Sequence, residues 1–124
     1  METDEYPFDD SDTTVPTDDA MDAMLARAIT LTTVILREGP RVHAEGARAI
    51  VREHGRRNFR LREQGLLRIV CPMSDDTDVC GIGIFAAPVE RVVQIMDDDP
   101  GVRAGVFVYE AHPCRGFPGD ALPG

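Results

Sequence analysis

AEGARAIVREHGRRNFRLREQGLLRIVCP, residues 44–72, holds the change of texture on which the fold turns. Residues 44–63 contain no proline. Ala47, Ile50, Val51, His54 and Leu61 recur at the spacing of one helix face, leaving Arg48, Arg52, Arg56 and Glu63 on the others. Gly65 then stands where a left-handed residue closes a helix, and LLRIVCP at 66–72 reads as a short strand. The stretch therefore predicts an amphipathic helix that turns sharply into a strand.

Working outward, ITLTTVIL at 29–36 is rich in β-branched residues and is stopped by Glu38, Gly39 and Pro40, which predicts the first strand. Residues 73–78 form a polar, acidic loop before a third strand, VCGIGIFA at 79–86. Pro88 starts a second helix through VERVVQIM at 89–96, which ends at the run Asp97, Asp98 and Asp99. RAGVFVYEAH at 103–112 supplies a fourth strand. The order strand, helix, strand, strand, helix, strand predicts an α+β chain of the ferredoxin-like βαββαβ kind, with a four-stranded antiparallel sheet.

Both helices would cover one face of that sheet. The parity sets Leu67, Ile69, Cys71 and Leu66, Val70 put apolar groups on both sides of the second strand, and Ile82, Ile84 and Phe85 do the same in the third. A second face this apolar needs a cover. A homodimer packed sheet to sheet is the simplest one, and a chain of 124 residues, small enough to be marginally stable alone, gains from it.

The formal charge of −9 is unevenly spread. Residues 1–22 hold nine acidic groups and no basic one, so the rest balances at thirteen against thirteen. This argues for an acidic, disordered N-terminal tail over 1–26, a domain over 27–115 and an irregular Gly/Pro-rich tail over 116–124. A near-neutral domain carries no nucleic-acid footprint and no polybasic membrane patch. Cys71, Cys80 and Cys114 form neither an even set nor a CxxC pair, so they read as reduced thiols. The start METDEYPFDD lacks the features of a signal peptide, and no apolar run is long enough to span a bilayer, so the expectation is a soluble cytoplasmic protein.

His54 is the first candidate for chemistry, because it lies on the apolar stripe of the long helix and should point at the sheet. Its imidazole is either a core group bonded to a backbone carbonyl or a proton carrier near neutral pH. Asp97, Asp98 and Asp99 sit at a helix C-terminus, where the dipole disfavours negative charge, so at least one should have a specific partner. Asp75, Asp76 and Asp78 belong to a loop and are either solvated or close enough to orient His54. The loop lacks the glycine and closing glutamate of a calcium site, and no HxxxH or HExxH pair exists, so no metal is expected. Gly81-Ile82-Gly83 lies inside a strand and is not a dinucleotide fingerprint; its glycines relieve crowding on one sheet face, and no cofactor is expected. Cys71 is either an inert thiol or, if His54 is close, a nucleophile.

His54, Gly65 eleven residues later, Pro72, and DPGVRAGV at 99–106 followed by a strand resemble the YciI-like (YCII-related) family. That family's pattern is a helix histidine, a Gly-Lys/Arg-Leu turn, a Gly-Pro step and a closing DPxVxAGV. The resemblance covers roughly residues 29–114. It implies a dimeric α+β barrel whose cleft is lined by a histidine and an aspartate. His54 matches the family histidine, Asp99 matches the Asp of the Asp-Pro step, and Asp76 is a looser match to a loop aspartate. One departure is Cys71-Pro72 where the family has Gly-Pro, which sets a side chain where backbone usually approaches the cleft.

Activities attributed to the family include elimination of chloride from a chlorinated aromatic. The resemblance thus implies a cofactor-free acid-base enzyme, lyase-, dehydrochlorinase- or isomerase-like, acting on a small metabolite, with aromatic ones among the candidates. His54 would be the general base or acid and Asp99 or Asp76 the carboxylate that orients it. The competing expectation is a non-catalytic small-molecule-binding or regulatory dimer; the Cys71 departure and the acidic tail favour it, and the retained His54 and Asp99 favour the enzyme.

Overall fold

Two crossovers organise the sheet. In the computed structural model, which describes residues 11–124, strands β1 (Ile29–Glu38), β2 (Leu67–Pro72), β3 (Val79–Phe85) and β4 (Phe107–Gly116) lie side by side in the order β2-β3-β1-β4. Helix α1 (Asp18–Leu25) precedes β1, α2 (Ala47–Glu63) joins β1 to β2, and α3 (Val89–Asp97) with α4 (Pro100–Arg103) joins β3 to β4. Each crossover skips one strand, and β3 runs antiparallel to both of its neighbours. The result is an open, antiparallel α+β arrangement consistent with a ferredoxin-like fold.

The chain divides into two compact units. Thr30–Arg115 carries the sheet and α2 to α4, and the other unit takes the described residues up to Ile29 together with Gly116–Gly124. Sequence reasoning placed no element in the acidic stretch 1–26, yet α1 occupies part of it. Thr17 caps α1 by accepting the Ala20 N–H at 3.2 Å, and Asp18 and Asp19 sit in its first turn, where the helix dipole favours them. Its apolar residues Met21, Met24 and Leu25 are all exposed. The first ten residues of the expected tail lie outside the described residues. Among the described residues, no helix is long and apolar enough to cross a membrane.

Register decides which side chains meet the helices. Thr32, Val34 and Leu36 of β1 stand opposite Phe85, Gly83 and Gly81 of β3, and Leu67, Val70 and Pro72 of β2 face the same three positions. These residues form the helix-covered face. Leu67, Phe85 and Val92 of α3 are at most 2% exposed, each burial contributing roughly 1.5–3 kcal/mol. The parity expected for β2 needs correction: a bulge between Leu67 and Ile69 takes up Arg68, so Leu67 shares a face with Val70, while Ile69 and Cys71 turn the other way with Ile84 and Ile82. Strict alternation fails wherever a strand takes in an extra residue.

The fourth strand starts later than expected. Arg103 ends α4, and Gly105, at φ 74°, turns the chain into β4 four residues beyond the expected start. The cause is Asp99-Pro100: proline at the first helical position has its φ preset, and the Asp99 side chain caps the turn. β4 also runs on through Pro113, which is tolerated because β4 is an edge strand.

Candidate functional site

The inward face of α2 is set by periodicity. Its buried residues Ala47, His54 and Leu61 are seven apart, two helical turns each, so His54 is carried onto the sheet with its apolar neighbours. The ring is 8% exposed and leans on Phe107 of β4, with centroids 4.8 Å apart and planes inclined at 55°. A histidine held this way has few rotamers left, and its two nitrogens face fixed directions.

Nδ1 lies 2.9 Å from both carboxylate oxygens of Asp99. Asp99 is fully buried and is placed from the other end of the fold, as the residue that starts α4. Its Oδ2 also accepts the backbone N–H groups of Gly101 at 2.9 Å and Val102 at 3.2 Å, and Arg57 stands 3.5 Å from Oδ1. Gly101 is required here for space, since a Cβ would lie 2.5 Å from the Phe107 ring. Burial alone would raise the Asp99 pKa. The hydrogen bond and charge of His54, with the N–H groups of Val102 and Gly101, outweigh it and hold the carboxyl below its ordinary value.

An ionised Asp99 fixes the imidazole proton on Nδ1 and leaves the lone pair on Nε2. Asn58, one turn along α2, meets that nitrogen with its side-chain amide nitrogen at 3.1 Å. Turned over, the same amide offers oxygen to an Nε2–H, so Asn58 can partner either protonation state. Asp99, His54 and Asn58 thus form a chain of three side chains from a buried carboxylate to a half-buried amide.

Beside this chain is a cavity of about 270 Å³ between α2 and the sheet. Gly81 and Gly83 line it from the helix-covered face, where a Cβ would come 3.1 Å from Cys71 O at the first and from Leu67 Cδ1 at the second. On the opposite wall, Val51, Gly55, Asn58 and Phe59 line it along one side of α2. The two strand glycines, read from sequence as relieving crowding, do so under the histidine.

The expected site residues are only partly assembled. His54 and Asp99 meet. Asp76 is exposed in the β2–β3 loop, and with both ring nitrogens of His54 engaged by Asp99 and Asn58 it takes no part in orienting the ring. Its neighbours are tied locally, Asp75 to Thr77 and Asp78 to Arg37. Cys71 pairs in register with Ile82 and borders the same cavity as His54, but no hydrogen bond joins the two among the described residues. The acidic run after α3 is fully partnered: Asp97 accepts from Tyr109 at 2.6 Å, Asp98 pairs with Arg103, and Asp99 holds His54. Burial and then the Asp97 carboxylate push the Tyr109 hydroxyl up to about 12.

Asn58, Arg57 and Phe107 were not among the expected site residues. A signal existed for Asn58, because a residue four positions after a helical histidine lies on the same face. No such local signal exists for Phe107. Among the described residues, no group of three or more His, Cys, Asp or Glu side chains is arranged to hold a metal ion. Searches against protein-family models and against curated proteins find no match to this sequence.

Proposed function

We propose that the protein is a YciI-like, cofactor-free acid-base enzyme acting on a small metabolite, with lyase, dehydrochlorinase or isomerase chemistry. The observation that carries this reading is the buried His54–Asp99 pair beside a cavity that His54 lines. His54 Nε2 takes a proton from the substrate or returns one, and Asp99 stabilises the imidazolium formed. In an elimination the proton goes to Nε2 as the leaving group departs with its electron pair; in an isomerisation the same nitrogen gives the proton back elsewhere. With an identified substrate, His54→Ala should lower kcat by at least ~100-fold in single-turnover or steady-state assays. Unaltered turnover rejects the assignment.

A second reading, a small-molecule-binding or regulatory protein of the same fold, is favoured by the Asn58 amide on Nε2, which occupies the nitrogen that catalysis needs free. A melting-temperature screen against phenols, lactones and halogenated aromatics, followed by mass spectrometry of each stabilising compound, separates the two. Stabilisation with product formed supports the enzyme, and stabilisation without product supports binding alone.

Both readings include a homodimer of the dimeric α+β barrel type. In support, the sheet face turned away from α2 carries Ile35, Ile69, Ile82 and Ile84. Light scattering on the intact chain and on Ile82→Asp tests it: a dimer that the substitution dissociates is expected, and a monomeric parent chain overturns it.

A further inference from the structure

The wall of the cavity is chemically lopsided. Of the described residues that line it, only His54 and Asn58 carry a nitrogen or oxygen in the side chain, and no described Arg, Lys, Asp or Glu is among them. Phe59, Phe85 and Phe107 contribute aromatic surface, Cys71 and Cys80 border the cavity as well, and burial, with Glu38 and Asp78, pushes the Cys80 thiol up. Asp99, which balances any charge on His54, lies behind the ring and is fully buried. A ligand in this cavity therefore meets an apolar surface with a single polar end of no net charge.

An anion there would leave water without gaining a cationic partner, because a protonated His54 is already neutralised by Asp99. A cation would find no carboxylate within the wall. A wholly apolar guest would fill the space but leave the Asn58 amide tied to Nε2. What suits both ends is an uncharged molecule with an apolar body and one hydroxyl group, which can donate to Nε2 and accept from the Asn58 amide.

Asn58 is the group that would read that oxygen. Among the described residues its one hydrogen bond is the 3.1 Å contact to Nε2, which leaves its amide oxygen able to accept. A ligand hydroxyl reaching Nε2 displaces the amide from the ring and can itself be bonded by it, so one contact is exchanged for two. We infer that the cavity selects small uncharged ligands with a single polar oxygen, and that Asn58 is the specificity-determining residue that exchanges His54 for that oxygen. This rests on the reading that the cavity holds a small molecule, and it holds whether or not the molecule is converted.

The test uses the full ¹⁵N-labelled chain and four probes of one shape: 4-methylphenol, toluene, benzoate and benzylamine. Titrations followed on the Asn58 side-chain amide and the His54 ring nitrogens should show 4-methylphenol binding at least tenfold more tightly than benzoate or benzylamine. In Asn58→Leu, 4-methylphenol should weaken at least fivefold while toluene is unchanged. In Asn58→Asp, which adds a negative charge at the polar end, the preference should move toward benzylamine. Benzoate binding as well as 4-methylphenol, a 4-methylphenol-to-toluene ratio unmoved by both substitutions, or no binding by any probe overturns the inference. Should Asn58→Leu fail to fold, Asn58→Asp decides alone. Loss of turnover in His54→Ala with no discrimination among the probes would leave the acid-base reading standing and remove this one.

Discussion

Among the described residues two histidine–carboxylate pairs occur at nearly the same distance, and they are different objects. His54 and Asp99 meet at 2.9 Å with side chains 10% and 1% exposed; His112 and Glu110 meet at 3.0 Å with side chains 57% and 44% exposed. The first pair joins residues 45 apart in sequence, while the second joins residues two apart on one strand. Water screens the His112–Glu110 pair and competes for each of its hydrogen bonds, so its geometry holds little in place. In the His54–Asp99 pair every lone pair and proton must find a protein partner, and Gly101, Val102, Arg57 and Asn58 supply them. Contact distance says which atoms meet; burial and the remaining partners say whether the meeting has consequences.

The largest test of that contrast is removal of the buried carboxylate. Asp99→Ala strands the His54 Nδ1–H and two backbone N–H groups, and should destabilise the fold by about 3–5 kcal/mol in urea titrations. A loss under about 1 kcal/mol would place the buried pair with the exposed one.

Acid sharpens the comparison. The pKa of Asp99 is lowered in the folded chain, so the stability it adds is fully present above the ordinary aspartate value of about 3.9 and is lost as pH falls through the still lower folded value. The difference in unfolding free energy between the parent chain and Asp99→Asn should be present at about pH 4.5 and close as pH falls below that. In Glu110, whose pKa is lowered first by His112 and then by Arg37 but which lies at the surface, Glu110→Gln should show no measurable gap across the same scan. A gap for Glu110 equal to that for Asp99 would break the contrast.

Smaller effects follow at the margins. Arg57 reaches Asp99 only at 3.5 Å and its side chain is 25% exposed, so Arg57→Ala should cost under about 1 kcal/mol by thermal or urea unfolding. His112→Gln should leave Tm unchanged in differential scanning calorimetry, whereas a clear drop would mean that the exposed pair carries structure after all.

The sequence showed more of the fold than of the site, and particular residues explain the split. Strand β1, helix α2 and helix α3 are visible because β-branched runs and helical spacing are local patterns. The bulge at Arg68 and the α4 turn were not read, since a bulge declares itself only against a partner strand and α4 depends on the Asp99 cap. Helix α1 was passed over because its acidic surroundings read as tail. Within the site, His54 was legible from its place on the apolar stripe, and Asp99 from the Asp-Pro step that resembles the YciI-like pattern. Asp76 carries no local signal that fixes where its loop folds, whereas Asn58 lies four residues after His54 on the same helix face.

By itself the sequence determined that a histidine is carried on the inward face of the long helix, and in what order the four strands and helices α2 and α3 follow, because both are set by residues within a few positions of one another. Only the tertiary structure decided which of several aspartates meets the ring, and that a hollow lined by Gly81 and Gly83 lies beside it. Those facts depend on strand register and on a crossover that brings residues 45 apart to within 2.9 Å, and free energies of that kind are settled by the packed chain as a whole.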